Sequence, residues 1–427
     1  MEKIDILRKK LSSIISDNED NFNLRVNIKT KNKFDLKSML YANAIALNAD
    51  SIDIVISDLK TENITYASKN ALIKRRNEKR TSTQMSKIND SLLDSFYNDM
   101  VYANNKYSLN KNKSFYMNSK VPDKKLFINN TRKRFIACDG TQFNVSKNAI
   151  NNTEIKPSNS SDYGVLMVSE YYDVMNNIPL YYQIIKSNKD DELKKANERK
   201  GLINNLHLFN ENDILIFDRL YYNLIIHKKL IEKGIGYIFR VKNNSLLFRD
   251  IAYGKSKKKV VNGVVVQLFK YRIKNEDYCI LTSIIDRVTI GEIKALYWRR
   301  WKIETDINKV KYKVLSDNIC TKNYNSICTD IEAIRFMSIR SSIIEYIGQR
   351  ECPENKKINS NNCIYLLYKS LLKTFLFKSN DKEEILRLVG IVFATIVVVF
   401  YGREYARKRV RPSTKWNRYG NRYGAGN

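Results

Sequence analysis

Hydrophobic and polar positions follow two different periods along the chain. Up to about residue 100 the spacing is helical. Met39, Leu40, Ala44 and Leu47 follow a capping Asp35, and Ile52, Val55, Ile56 and Leu59 follow Asp50 and Ser51. Thr65 opens a third segment, TYASKNALIKRRNEKR, which carries Lys69, Lys74, Arg75, Arg76, Lys79 and Arg80. Two short helices and a basic one suit either a helix-turn-helix reader of DNA or a helical bundle whose charged face is merely solvated. Residues 101–134 are rich in Asn, Lys and Tyr, lack a period and read as a connector.

From residue 135 the texture is that of strands. FIACDGTQFNVS, YGVLMVSEYY (163–172) and IPLYYQIIK (178–186) are dense in β-branched and aromatic residues. A helical stretch is predicted at about 191–206. The buried-strand run DILIFD (213–218), a helix at 223–233 closed by Gly234, and the strand YIFRVK (237–242) follow. This order predicts a mixed α/β sheet. A β-rich insertion then occupies about 243–288, with Asn262-Gly263 as its hairpin turn and YCILTSII (278–285) as a further strand. Thr289-x-x-Glu292 is a capping box that launches a helix through LYWRRWKIETDINKVKYK. The longest apolar run, Leu388–Tyr401, is shorter than the roughly 20 residues of a membrane span and reads as a buried C-terminal element.

Composition adds a partner to this picture. Hydrophobic residues make up 43% of the 427, enough for a sizeable core, and the formal net charge of +30 calls for a polyanion, nucleic acid first. After Tyr401 the tail carries eight basic residues against one acidic, with Trp416, Tyr419 and Tyr423 interleaved. Six dispersed cysteines without a CxxC and only two histidines argue against a disulfide scaffold or a zinc site, and point to a reducing compartment.

Three carboxylates stand out by context. Asp139 ends the apolar run Phe135–Cys138, and Asp218 ends Ile214–Phe217. Carboxylates at the ends of buried strands are costly unless they meet a cation. The third, Glu304, lies on the capped helix. At about 100° per residue, Tyr297, Arg300, Glu304 and Lys311 fall within an arc of about 60°, and Asp306 falls on the opposite face. Converging carboxylates need divalent cations to offset their repulsion; Mg²⁺ prefers hard oxygen ligands and leaves positions open for a phosphate. Two such ions can drive an in-line displacement at phosphorus. Asp213 is a substitute for Asp218, though it lies at the start of its strand. Each residue taken singly could equally be a cap or a surface charge.

The spacing Tyr297-(2)-Arg300-(3)-Glu304-(6)-Lys311 resembles the Tyr-Arg-Glu-Lys signature of DDE-class bacterial insertion-sequence transposases, the insertion-sequence-four family. CDGTQF around Asp139 looks like that family's first-aspartate motif. FDRLYYN around Asp218 looks like its second, with Leu220 in place of the usual Gly. The resemblance spans about residues 35–400. It implies a ribonuclease H-like catalytic domain at 135–401, preceded by a helical, DNA-binding region at 1–100 and followed by a basic tail at 402–427. It implies Asp139, Asp218 and Glu304 as catalytic metal ligands for two Mg²⁺ ions, with Mn²⁺ able to substitute. Arg300, Lys311 and Arg219 would contact DNA, and Tyr297 would stack near a displaced base. The partners implied are the double-stranded DNA of element ends and target, and a second copy of the chain in the DNA complex, in the cytoplasm or nucleoid of a bacterium. Three other readings share these features: a ribonuclease H-like nuclease without strand transfer, a DNA-binding derivative without activity, and a basic protein tethered to a membrane by 388–401.

Overall fold

A computed structural model describes residues 2–23, 35–49, 51–64, 68–102, 134–146, 149, 155–157, 163–185, 198–273, 276–285, 288–314, 318–319, 321–349, 352, 356–378 and 381–398. The predicted connector lies almost wholly outside these residues, and so do the basic tail and the start of the helix predicted at about 191. The chain packs as two units. One comprises residues 1–92, 142–166 and 310–427, the other residues 93–141 and 167–309.

The first unit is mostly helical. Its N-terminal part holds α1 (Glu2–Asn23), α2 (Leu36–Ala46), α3 (Ile52–Thr61), α4 (Lys69–Arg76) and most of α5 (Lys79–Ser95). Asp35 caps α2 by accepting from Ser38 N at 2.7 Å. Ser51 caps α3 and Ser68 caps α4, each satisfying an N–H the first turn leaves open. α1 and α2 pack with α10 (Tyr324–Gln349) and α12 (Leu372–Phe377) from the C-terminal part, and α4 packs with α10, against which α11 (Ser360–Leu366) also lies. The apolar run predicted at 388–401 begins inside α13 (Lys382–Ala394), where Leu388, Val389 and Val392 are buried, and continues into a short strand, Ile396–Val398. No described helix is long and apolar enough to cross a membrane.

The predicted basic face of α4 is partly structural. Arg76 is buried, donates to Asn43 Oδ1 at 3.0 Å, and pairs with Asp330 at 2.5 Å. Lys69 pairs with Asp53, and Arg75 and Arg80 both reach Glu78. A buried pair that loses one partner leaves an uncompensated charge. Arg76→Met is therefore expected to cost about 3 kcal/mol in urea unfolding and to leave the salt dependence of DNA affinity unchanged. A flattened salt slope with wild-type stability would instead make Arg76 a phosphate contact.

The second unit is built on a mixed sheet. β1 (Arg134–Ser146), β3 (Tyr163–Asp173) and β4 (Ile178–Ile184) come first; a short β2 (Ile155–Pro157) of the first unit pairs with the start of β3. Then follow α6 (Glu198–Asn205), β5 (Asp213–Phe217), α7 (Leu224–Glu232) and β6 (Gly236–Val241). The strand order is β4-β3-β1-β5-β6. Val174 N donates to Phe135 O, so the end of β3 meets the start of β1 and that pair is antiparallel. β1, β5 and β6 run parallel. Three antiparallel strands, then two parallel strands reached through helices, make this the α/β, ribonuclease H-like arrangement.

The insertion forms β7 (Lys255–Val261), β8 (Val264–Ile273) and β9 (Glu276–Thr282). β9 pairs antiparallel with β6, so the insertion extends the main sheet. Asn262 and Gly263 both take positive φ, 51° and 78°, as the predicted two-residue turn requires.

Two expectations need correction. β1 does not end at Asp139: it continues to Ser146, because Asn144 and Val145 find parallel partners in a two-residue strand, Asn318–Ile319. Nor is the signature helix continuous. α8 (Ile290–Trp298) begins with the predicted capping box, but α9 (Trp301–Lys309) follows a tight turn. Arg300 N, Lys302 N and Ile303 N each bond the carbonyl three residues back instead of four. The turn accompanies two successive inward-pointing guanidiniums, Arg299 and Arg300, both buried.

Candidate active site

Alternation along the strands determines which side chains share a face. Phe135 and Ala137 of β1 and Ile214 and Ile216 of β5 pack in one core with Ile293, Leu296, Tyr297 and Ile303 of α8 and α9. Asp139 and Asp218 have the same parity as those strand residues, so both face the layer that carries Glu304. The parallel register aligns them along the sheet. Arg134 pairs with Asp213 and Ala137 with Ile216, a constant offset of 79 residues; extending it two residues sets Asp139 beside Asp218. Adjacent strands lie about 4.8 Å apart, so the two carboxylates are near neighbours.

The third carboxylate joins them through Arg300. Its Nη2 is 3.0 Å from Glu304 Oε1 and its Nη1 is 3.7 Å from Asp139 Oδ2. The guanidinium is 5% exposed, against 22% for the Asp139 side chain and 31% for Glu304. Gly140 N donates to Asp139 Oδ1 at 2.9 Å. Burial pushes the Asp139 carboxyl up to about 6; Arg300 and the Gly140 N–H oppose this, and Glu304 and Asp218 add to it by repulsion. Tyr297 hydroxyl lies 3.4 Å from Asp218 Oδ1.

The remaining sequence candidates are placed as follows. Tyr297 is buried, with an edge-on contact to Tyr278, so in this arrangement its ring is shielded from a base. Arg219 is exposed beside Asp218. Lys311 falls in the other unit, on a π-helical turn (Val310–Val314), with its Nζ 5.7 Å from the Phe143 ring centroid. Asp306 is buried and accepts from Tyr182 hydroxyl at 2.9 Å. Asp213 is held at the start of β5 by a two-pronged bond from Arg134. Both acids are thus committed to packing.

One residue escaped the sequence reading. Glu198, the first residue of α6, has its carboxyl pushed up to about 7 by burial first and then by Asp139 and Asp218, while Tyr221 and Arg300 oppose the rise. Nothing in its local sequence marks it, since the signal is a contact with Gly140, 58 positions earlier in the chain.

Among the described residues, no three His, Cys, Asp or Glu side chains are already arranged to coordinate a metal ion. The donor chemistry nevertheless fits a divalent ion. All donors are hard carboxylate oxygens, and their mutual repulsion is what a dication would relieve.

Residues 130–338 match the family described as the transposase DDE domain, a stretch that contains Asp139, Glu198, Asp218 and Glu304. No curated protein matches the chain. Among solved structures it is similar to a piggyBac transposase in a synaptic complex with hairpin DNA, at 11% identity over 95% of this chain and 86% of that one, with a TM-score of 0.40.

Proposed function

We propose that the chain is a DDE transposase that cleaves DNA strands at the ends of an insertion element and transfers them to target DNA. The observation that supports this most directly is the meeting of Asp139, Asp218 and Glu304 around Arg300, in the stretch that matches the transposase DDE domain. Asp139, Asp218 and Glu304 would hold two divalent cations, Mg²⁺ by preference with Mn²⁺ as substitute. Ions held there would supply activation of a water or a 3′-hydroxyl and stabilisation of the leaving oxygen.

The chain's own residues do the rest. Arg300 orients Glu304 by a hydrogen bond, pairs with Asp139 at longer range, and offsets the charge of both. Tyr297 supports Asp218 through its hydroxyl and so acts by position, which replaces the stacking role expected from sequence. Arg219 and Lys311 would take DNA phosphates, Arg219 close to the cut. The +30 charge supplies the long-range attraction for double-stranded DNA at element ends and target. A second copy of the chain would join in the DNA complex.

The experiment uses the full chain, Mg²⁺, and duplexes cut from the DNA on either side of the gene, searched for inverted repeats. The expected result is metal-dependent release of 3′-hydroxyl ends, followed by their joining to a plasmid. Cleavage without joining would identify a ribonuclease H-like nuclease. Sequence-specific binding without either step, in Mg²⁺ and in Mn²⁺, would leave only a DNA-binding derivative.

A further inference from the structure

Glu198 is held against the candidate active site from two sides. A Cβ on Gly140 would lie 2.4 Å from Glu198 Cγ and 2.9 Å from its Cδ and its Oε1. Contacts that short do not occur between real side chains. The absent side chain of Gly140 is therefore what lets the Glu198 stem rest against the backbone one residue beyond Asp139. From the other side, Tyr221 neighbours the Glu198 carboxyl and opposes its rise, and Tyr221 N donates to Asp218 O at 3.1 Å. Tyr221 is 2% exposed, so this contact is fixed by packing. Arg199, the next residue of α6, donates to the Leu220 carbonyl in the same turn. The start of α6 is thus pinned to the segments that follow both aspartates.

Packing alone does not explain an acid at this position. A glutamine would make the same contact with Tyr221 and add no negative charge to a cluster that already holds Asp139, Asp218 and Glu304. Arg300 is the cation the structure pairs with that cluster. A fourth carboxylate there carries a cost in like-charge repulsion, which a bound dication offsets.

We infer that Glu198 is a fourth carboxylate of the site, a direct ligand to one of the two divalent ions, placed by Gly140 and Tyr221. The inference rests on the two-ion reading of Asp139, Asp218 and Glu304, and adds a residue outside the signature.

The test measures binding of Mn²⁺ alone to the full chain, by calorimetry and by the paramagnetic resonance of free Mn²⁺, together with thermal melting. Wild type is expected to bind two ions. Glu198→Gln should weaken one of them at least about tenfold, since loss of a ligand costs no less than loss of an outer-sphere partner, and leave the other in place. Without metal Glu198→Gln should melt no lower than wild type, because repulsion is relieved, and its rise in melting temperature on adding Mn²⁺ should be smaller. Glu198→Asp, which keeps the charge on a shorter stem, should retain part of the lost affinity.

A purely structural Glu198 gives the opposite pattern: lower melting without metal and a Mn²⁺ response equal to wild type. That pattern overturns the inference and leaves the two-ion reading intact. Wild type that binds no Mn²⁺ up to about 10 mM, far above the range of a dedicated site, overturns the two-ion reading itself and this inference with it.

Discussion

Glu304→Gln should lower Mg²⁺-dependent nicking about 1,000-fold, equivalent to about 4 kcal/mol of barrier, while DNA binding stays intact or tightens. The substitution keeps the shape of the side chain and its acceptor oxygen for Arg300, but removes an anionic ligand. It also removes one negative charge near the phosphates, which is why affinity should not fall. The measurement compares nicking of an end-containing duplex with binding at several salt concentrations. Nicking at the wild-type rate would place the third carboxylate elsewhere. Glu198 would be the first candidate from the structure; Glu292, the acid that precedes Glu304 in the chain, is engaged in the capping box of α8.

Arg300→Ala should destabilise the metal-free chain by about 4 kcal/mol at pH 7.5, within the range for a buried ion pair stripped of one partner. Here one guanidinium serves two carboxylates. With it gone, Asp139 and Glu304 face each other without a counter-charge. Added Mg²⁺ should recover much of the loss, since a dication can take over the neutralising role. The pH dependence has a definite sign. The Asp139 carboxyl is already raised to about 6, and without Arg300 it rises further. A raised carboxyl favours the protonated form, so the penalty is present above that value and shrinks as pH falls through it. At pH 5 the variant and wild type should differ less than at pH 7.5. Urea unfolding at both pH values, with and without Mg²⁺, checks the four outcomes. An Arg300→Ala chain as stable as wild type, and indifferent to Mg²⁺, would remove Arg300 from the site.

What the sequence determined by itself was local. β-branched runs and their alternation announced the strands, because a strand buries one or both faces with period two. Asp218 was legible as the polar end of the four-residue apolar run Ile214–Phe217, which is where β5 stops. The capping box at Thr289 and the turn at Asn262-Gly263 formed as read, because each is satisfied within a few residues. Helical spacing also brought Tyr297, Arg300 and Glu304 toward one side, and these three do meet the two aspartates or their partners.

What only the tertiary structure decided was set by contacts between distant segments. Asp139 sits within a strand because residues 144–145 pair with 318–319, a partnership no local pattern encodes. The side-by-side placement of Asp139 and Asp218 comes from a parallel register between segments 79 residues apart. The tight turn at Arg299 and Arg300 interrupts a sequence with good helical periodicity, and Tyr297 is buried because the helix before that turn lies on the sheet. Glu198 belongs to the site only through the missing side chain of Gly140 and the packing of Tyr221 beside it. Hydrophobic period and capping report what a residue's neighbours in the chain can satisfy. The charge balance of the site depends on which strands lie side by side, and pairing across long loops sets that.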